Sequence, residues 1–309
     1  MQDPCAGGPR AAGCYAPRVS TRAASGPRPD GDGHGFDELQ VAGLTLRGWT
    51  RGGIRTCLQV PELRVMFDVG GMDPSMLRYD DILVSHGHQD HLGGLPYLIS
   101  QRQLMRNAPP RVHMPEEVVG PMARILAAWS EIEDFELRAE LVGHAPGGRV
   151  DLGKGLSATC VRSVHRVPSL AWIIERRTER LRASLQGVPG PELQAMRARG
   201  EAITEAHVEP LLCVTGDTQI ELLQREPAVR SCRVLVHEVT SWDERRDVAE
   251  TRKWGHTHLD ELVEHAALFE GEALVLVHRS MRHSRADARQ LVSERFPAAL
   301  KERVHVFGR

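Results

Sequence analysis

The chain has 309 residues, a formal net charge of −2, 41% hydrophobic residues and 26% charged residues. This length supports one large hydrophobic core or two modest ones, and the near-neutral charge argues against a protein that coats nucleic acid with its whole surface. The six cysteines form no CxxC pair, which argues against a disulfide framework and a zinc ribbon. Because no run approaches eighteen apolar residues and no apolar signal-peptide core occurs, we expect a soluble, cytoplasmic protein.

The N-terminal region differs in composition from the rest. Residues 1–38 are rich in Gly, Pro, Arg and Ala and contain few large apolar residues. Such a segment cannot bury enough surface to offset the entropy of ordering, so we predict a disordered tail. The remaining residues, 39–309, are predicted to form one domain.

Short apolar runs separated by turns follow the tail. "CLQVPELRVMFDVG" predicts two strands joined at Pro61-Glu62, "DDILVSHG" predicts a third, and "EEVVGPMARILAAWSEI" has helical spacing. "LLCVTGD", "CRVLVHE" and "EALVLVHR" predict buried strands that each end in a polar residue, and helical stretches near 258–269 and 284–295 alternate with the last two. This pattern indicates an α/β enzyme with its site along one sheet edge.

The stretch "ILVSHGHQDHLGGLP" (82–96) places His86, His88, Asp90 and His91 after a predicted strand. A tight loop can direct His86 and His88 at one ion, while Asp90 and His91 reach a second. Neutral imidazole and carboxylate are ligands shared by zinc, iron and manganese. The alternative is a solvated polar loop, but HxHxDH at a strand end is far more specific for metal than a lone histidine pair.

Further ligands are needed to complete two ions. His165 follows an apolar stretch in "TCVRSVHRVP", Asp217 ends the strand in "LLCVTGDT", and His278 ends "EALVLVH". Each alone is equally well explained as a hydrogen-bonded polar residue at a strand end. Together with HxHxDH they predict a dinuclear site, and a carboxylate at Asp217 could bridge both ions.

These segments resemble a known family. "SHGHQDH", His165, "TGDT" and "LVHRSMRH" occur in the order of the metallo-β-lactamase superfamily, and "HLGGLP", "HEVTS" and "GHTHLDELVEHA" resemble ribonuclease Z, the tRNA 3′-processing endonuclease, in its short plant-like form. The resemblance covers about residues 40–296. It implies an α/β fold, the metallo-β-lactamase αββα four-layer sandwich, with a short helical arm.

The sequence departs from that family at four positions. Arg279 and His283 stand where the family has Phe and Tyr, and Ala171-Trp172 replaces a Gly-Tyr pair. We expect these changes to affect substrate contacts more than metal ligands.

The resemblance implies roles for the candidate residues. His86, His88 and His165 would hold one ion, Asp90, His91 and His278 the other, and Asp217 would bridge. The expected cofactor is two Zn²⁺ per subunit, with Mn²⁺ as an alternative. Two such cations lower the pKa of a bridging water from about 16 to near neutrality and give a hydroxide nucleophile, and Asp90 would also accept its proton.

Other residues are implied to act on the substrate. "HEVT" and "GHTH" resemble paired loops in which Glu238 orients His256 as the general acid, a sound design because the carboxylate sets the tautomer. His258 is a rival for that role, and a capping or surface carboxylate is the alternative for Glu238. Ser280 and Arg282 would grip a phosphate, although a surface arginine explains Arg282 nearly as well.

A basic segment lies between His165 and Asp217. Residues 176–200 contain six arginines and two glutamates, and two helix-prone pieces flank "GVPGP". The segment resembles the protruding tRNA-binding arm of ribonuclease Z, which we assign to residues 176–209. Arg180, Arg182, Arg197 and Arg199 would contact the phosphate backbone. A solvated helical hairpin is the alternative.

The resemblance therefore implies a metal-dependent endoribonuclease that removes 3′ trailers from precursor tRNA and works as a homodimer. One rival is another hydrolase of the same fold, such as a phosphodiesterase of small substrates. A second is a non-catalytic nucleic-acid-binding relative. Degenerate relatives typically lose ligands, whereas every expected ligand is present in this sequence.

Overall fold

The computed structural model describes residues 36–308, which form two seven-stranded β-sheets. The first sheet contains, in spatial and chain order, β1 (Asp37–Val41), β2 (Leu44–Arg51), β3 (Arg55–Val60), β4 (Val65–Phe67), β5 (Asp81–Leu83), β6 (Arg111–Pro115) and β7 (Glu140–His144). Strands β1 to β4 pair antiparallel, and β4 to β7 pair parallel.

The second sheet repeats this plan. It contains β8 (Arg149–Gly153), β9 (Leu156–Arg162), β10 (Leu170–Leu181), β11 (Thr204–Val214), β12 (Val234–Glu238), β13 (Ala273–Val277) and β14 (Val304–Val306). Strands β8 to β11 pair antiparallel, and β11 to β14 pair parallel. Parallel strands bring their carboxyl ends to one edge, which is where α/β proteins place their sites.

Helices connect and cover these strands. They are α1 (Gln89–Leu92), α2 (Leu95–Leu104), α3 (Glu116–Glu133), α4 (Gly190–Ala198), α5 (Glu221–Arg225), α6 (Pro227–Arg230), α7 (Val248–Lys253), α8 (Leu259–Glu264), α9 (Arg285–Arg295) and α10 (Ala298–Lys301). Short 3₁₀ turns occupy Pro61–Leu63, Pro74–Arg78, Ala183–Leu185 and Ala266–Leu268. Across residues 36–308, no helix is long and apolar enough to cross a membrane.

Three apolar clusters establish the layers. One lies between the sheets and joins side chains such as Phe67 to Trp172. Alternate strand residues point the other way, and Leu274 of the second sheet packs with Val292 of α9. On the first sheet, Ile82 belongs to the same cluster as helix residues such as Leu98, Met122 and Leu126. The result is the predicted αββα sandwich.

Most predicted elements are confirmed. The strands on either side of Pro61-Glu62 are β3 and β4, and the helical patterns near 116, 258 and 284 correspond to α3, α8 and α9. The predicted tail lies outside the described residues up to position 35. The predicted end of the tail at residue 38 is wrong, because Asp37 and Glu38 belong to β1 and pair with β2.

The predicted helical character of the arm is wrong in its first half. Residues 176–181 continue β10 and pair with β11 as far as Leu181 opposite Thr204. Cross-strand pairing overrides the local helical preference, as is common for tertiary context. β9 pairs with β10 only up to Arg176. Beyond that residue, β10 and β11 continue alone as a two-stranded ribbon. The second half is helical, in α4.

Candidate metal centre

Loops at the carboxyl ends of parallel strands deliver the candidate ligands. His86 follows β5, Asp217 follows β11 and His278 follows β13, while α1 carries Asp90 and His91. The β9–β10 loop adds His165. Ligand atoms in each of three overlapping groups lie within 4.8 Å of one another: His86, His88, His165 and Asp217; Asp90, His91 and His278; Asp217, His256 and His278.

The first group has its donor atoms close together. Nε2 of His86 lies 3.0 Å from Nδ1 of His88 and 3.6 Å from Oδ2 of Asp217. Nε2 of His165 lies 3.4 Å from the same His88 nitrogen.

The second group has equivalent spacings. Nε2 of His91 lies 3.2 Å from Nε2 of His278, and Oδ2 of Asp90 lies 3.6 and 3.4 Å from these two nitrogens. Asp217 stands between the groups, since its Oδ1 lies 3.3 Å from His91 Nε2 and 3.4 Å from His278 Nε2.

Hydrogen bonds behind the second group fix the tautomers of its imidazoles. Nδ1–H of His91 donates to Oδ2 of Asp68 at 2.8 Å. The hydroxyl of Thr240 donates to Oε2 of Glu238 and therefore accepts from Nδ1–H of His278, each at 2.9 Å. Both rings thus turn Nε2 towards the centre of the cluster, as metal-binding histidines commonly do.

The first group is held in the same way. The Ser85 hydroxyl donates to Asp68 Oδ2 at 3.0 Å, so it accepts from Nδ1–H of His86 at 2.9 Å. Nδ1–H of His165 donates to the carbonyl of Gly255 at 2.8 Å. A side chain at Gly255 would come within 2.7 Å of His165 Nδ1, and its φ of +80° also favours glycine.

The donor set fits metal ions on two grounds. Ligand atoms about 2.0–2.1 Å from a tetrahedral zinc lie roughly 3.3–3.4 Å apart, which matches the spacings in both groups. In addition, Oδ1 of Asp217 is buried and, within the described part of the chain, receives no hydrogen bond of good geometry. A buried carboxylate oxygen left without a donor is costly unless a cation satisfies it.

The ionisation states also suit metal binding. Burial lowers the pKa of His86, His88 and His165, so their lone pairs are free at neutral pH. Burial opposes ionisation of Asp90, but His278 and His91 outweigh it and lower the pKa to about 2.

His91 is the exception among these histidines. Burial lowers its pKa, yet the charges of Asp217 and Asp68 outweigh that and raise it well above the ordinary value. Because an imidazole gives up the proton on its ligating nitrogen when it binds a metal ion, metal binding at His91 would release a proton.

The backbone at His278 is held in an uncommon conformation. Its φ is 62°, in the left-handed region that non-glycine residues rarely adopt. The His278 N–H donates to the Thr50 hydroxyl at 2.9 Å, which ties this loop to β2 of the other sheet. Such strain persists only where the surroundings impose it, typically at functional sites.

Beside the cluster, Glu238 binds His256. Oε1 of the buried Glu238 accepts from Nδ1–H of His256 at 2.9 Å and from the backbone N–H groups of Thr218 and Thr257 at 3.1 and 3.2 Å. Burial opposes the charge on His256, but Glu238 outweighs it and raises the pKa to about 9. His258 instead caps α8, accepting from the Asp260 N–H at 3.1 Å.

The loop after His278 carries the remaining predicted contacts. Ser280 is buried, its N–H donates to the Thr240 carbonyl at 3.2 Å, and Arg282 is exposed. The four predicted arm contacts lie on the ribbon and its tip, all exposed: Arg180, Arg182, Arg197 and Arg199. Over residues 176–209 the six arginines are accompanied by five glutamates, so the arm is less basic than residues 176–200 alone suggest.

The expectation that the four family departures affect substrate contacts is not supported, because all four side chains are buried. Trp172 is buried and its Nε1–H donates to the Val84 carbonyl at 3.0 Å. Arg279 is also buried, and Nη2 donates to the Gly308 carbonyl at 2.8 Å. Ala171 and His283 are buried as well. These side chains support the loops around the cluster from within.

Sequence reasoning missed the residues behind the ligands. Asp68, Ser85 and Thr240 each bind the outward nitrogen of a cluster histidine. Asp68 directly follows β4 in "MFDVG", so a polar residue after a strand was the available signal. That signal is weak, because a single carboxylate two residues before a glycine is also typical of an ordinary turn.

Comparisons with known proteins place the chain in a family. No family model matches it. It is 30% identical over 268 residues to tRNase Z TRZ1 of Arabidopsis thaliana, which covers 86% of this chain and 95% of the relative.

Solved structures agree on the fold. The metallo-β-lactamase fold protein YhfI of Bacillus subtilis superimposes with a TM-score of 0.57 at 14% identity, over 84% of this chain and 94% of that one. Human tRNase Z, short form, superimposes with a TM-score of 0.52 at 16% identity over the same shares. From the sequence relationship and this shared fold, the chain belongs to the tRNase Z (ribonuclease Z) family.

Proposed function

We propose that this protein is a metal-dependent endoribonuclease that removes 3′ trailers from tRNA precursors. The observation that carries the proposal is the convergence of five imidazoles and two carboxylates from loops of both sheets, and not from one sheet edge alone, in a chain that belongs to the tRNase Z family. Such a ligand set suits hydrolysis of a phosphodiester, whose developing negative charge needs cations.

Seven side chains would hold two ions. His86, His88 and His165 would bind one, Asp90, His91 and His278 the other, and Asp217 would bridge them. The spacings near those of a tetrahedral zinc support Zn²⁺, and the same nitrogen and oxygen donors also suit Mn²⁺. When bound, the two cations would supply an activated water and neutralise charge on the phosphoryl oxygens.

Asp90 has a second role in this proposal. Because its pKa is lowered to about 2, its carboxylate is ionised at neutral pH and can accept a hydrogen bond from the attacking water. The N–H of Gly53 donates to Oδ2 of Asp90 at 2.8 Å and holds the carboxylate in place. We assign to it the proton of the attacking water.

His256 is assigned as the general acid. With a pKa raised to about 9 it carries a proton at neutral pH. Glu238 takes the Nδ1–H, so Nε2–H remains for the leaving ribose oxygen. A positioned acid of this kind typically contributes about 10²–10⁴-fold to the rate.

Substrate contacts are assigned to Ser280 and Arg282 near the last ligand and to Arg180, Arg182, Arg197 and Arg199 on the arm. The exposed position of these arginines supports contact with a phosphate backbone. The homodimeric state and the cytoplasmic location stay predictions.

The direct test is incubation of the purified protein with a precursor tRNA and Zn²⁺ or Mn²⁺, followed by mapping of the product ends. Cleavage at the junction of tRNA and trailer, with a 3′-hydroxyl on the tRNA, is expected. Hydrolysis of a nitrophenyl diester without any cleavage of precursor tRNA would instead favour a small-substrate phosphodiesterase.

A further inference from the structure

A cavity of about 540 Å³ adjoins the metal centre. Gly87, Gln89 and Asp90 of the loop that carries the metal motif line one side, together with Gly53. Asp90 also lies 3.4 Å from His278 within the candidate metal cluster. The cavity and the cluster therefore share a wall.

The opposite side of the cavity is apolar and exposed. Ile54, Ile125 and Trp129 line it, with 55%, 44% and 43% of their surfaces exposed. Ile125 and Trp129 lie four residues apart on α3 and so share one face of this helix. The helix already packs against the core through the buried Met122 and Leu126, so the fold does not require a tryptophan at position 129.

An exposed tryptophan beside a phosphodiester site matches one kind of ligand well. Single-stranded nucleic acid presents a flat base next to each phosphate, and such bases stack on aromatic side chains without regard to sequence. The cavity is within the roughly 300–1,000 Å³ typical of small-ligand sites. A phosphate held at the metal cluster would bring a neighbouring base within reach of it.

We propose that Ile54, Ile125 and Trp129 form a stacking shelf that binds the nucleobase of a nucleotide flanking the scissile phosphate. The proposal rests on the proposed endoribonuclease function and names a specificity element for it. A second copy of this chain is the rival occupant of an exposed apolar face. The wall shared with Asp90 favours the base, because it makes the shelf continuous with the place where the substrate strand is cut.

The test compares variants of the full-length, metal-loaded protein on matched substrates. The variants are Trp129→Ala, Trp129→Phe, which keeps an aromatic face, and the control Ile132→Ala, which removes a 69% exposed side chain further along the same helix. The substrates are a precursor tRNA, two versions with an abasic residue on the 5′ or the 3′ side of the cleavage site, and a nitrophenyl diester.

The shelf predicts a loss that depends on the base. Base stacking on an aromatic residue changes affinity roughly 5- to 150-fold, so Trp129→Ala should lower kcat/KM for precursor tRNA about tenfold, mainly by raising KM. The loss should vanish on one of the two abasic substrates, and which one identifies the bound nucleotide. Trp129→Phe should retain most activity, and Ile132→Ala should cleave precursor tRNA like the wild-type protein. Hydrolysis of the diester should be the same in all variants.

Two outcomes would overturn the shelf. One is an equal loss for Trp129→Ala on all three RNA substrates. The other is an equal loss for Ile132→Ala together with a change from dimer to monomer by light scattering, which would make this face an interface between copies. If the wild-type protein hydrolyses the diester but no precursor tRNA, the proposed function itself fails, and that result is separate from either.

Discussion

Oδ2 of Asp68 lies 2.8 Å from Nδ1 of His91, and the same oxygen accepts the Ser85 hydroxyl at 3.0 Å, behind His86. Its other oxygen, Oδ1, accepts the Ser85 N–H at 2.7 Å. One buried carboxylate thus orients an imidazole in each of the two ligand groups, although it contacts no metal position itself.

We therefore expect Asp68→Asn to weaken metal binding while leaving all seven ligands in the chain. An asparagine amide has only one accepting oxygen. Its NH₂ group must therefore face either the Ser85 N–H, or both the Ser85 hydroxyl and His91. Loss of such a partner typically costs about 10–100-fold in metal affinity. Zinc titration against a competing chelator measures this, with the exposed Asp151→Asn as the control. Equal affinities for the wild-type protein and both variants would refute the role of Asp68.

Removal of a ligand should have a larger effect. His88→Ala deletes one of the three imidazoles assigned to the first ion. We expect loss of at least one metal ion per chain and a fall in activity of more than about 100-fold. This exceeds the loss that is typical when a residue that only hydrogen-bonds a ligand is replaced. Elemental mass spectrometry gives the metal content, with His305→Ala of β14 as the control. Unchanged metal content in His88→Ala would remove it from the site.

His256→Ala should separate proton donation from metal binding. Because His256 is assigned to the leaving oxygen, both ions should stay bound while cleavage of RNA slows by about 10²–10⁴-fold. A nitrophenolate leaves without protonation, so hydrolysis of a nitrophenyl diester should fall much less. If the two substrates lose rate equally, His256 supports the structure and is not the acid.

The arm can be shortened at a point that the structure defines. Leu181 and Thr204 are paired across the ribbon, so a two-residue Asn-Gly turn can replace residues 182–203 without disturbing the sheet. Metal content and diester hydrolysis should persist, and KM for precursor tRNA should rise. Arg180→Glu on the shortened chain should reduce the salt dependence of tRNA binding further. The slope of log affinity against log salt concentration should become shallower by about 0.7–0.9 per lost phosphate contact. Arg289→Glu on α9 is the charge control, and unchanged tRNA cleavage in the shortened protein would exclude a substrate arm.

The strands and the candidate ligands could be predicted from the residues because both depend on local chemistry, whereas the αββα layers were implied by the family resemblance. His86, Asp217 and His278 follow the buried strands β5, β11 and β13, and the structure brings these residues of the two sheets together. The role of Asp68 could not be predicted from the sequence, because it depends on contacts with Ser85 and His91 that only the fold creates. The local sequence predicts a helix at residues 176–181. The structure forms a ribbon there because these residues pair with residues of β11 more than twenty positions further along the chain.

The central claim is that this cluster makes a metal-dependent nuclease for precursor tRNA. The most direct measurement titrates the metal-free protein with Zn²⁺ and follows both bound metal and cleavage at the junction of tRNA and trailer. We predict that cleavage is absent without metal, rises with occupancy and reaches its maximum at two ions per chain. Cleavage that is complete before metal is added, or a fully loaded protein that leaves the junction intact, would contradict the account.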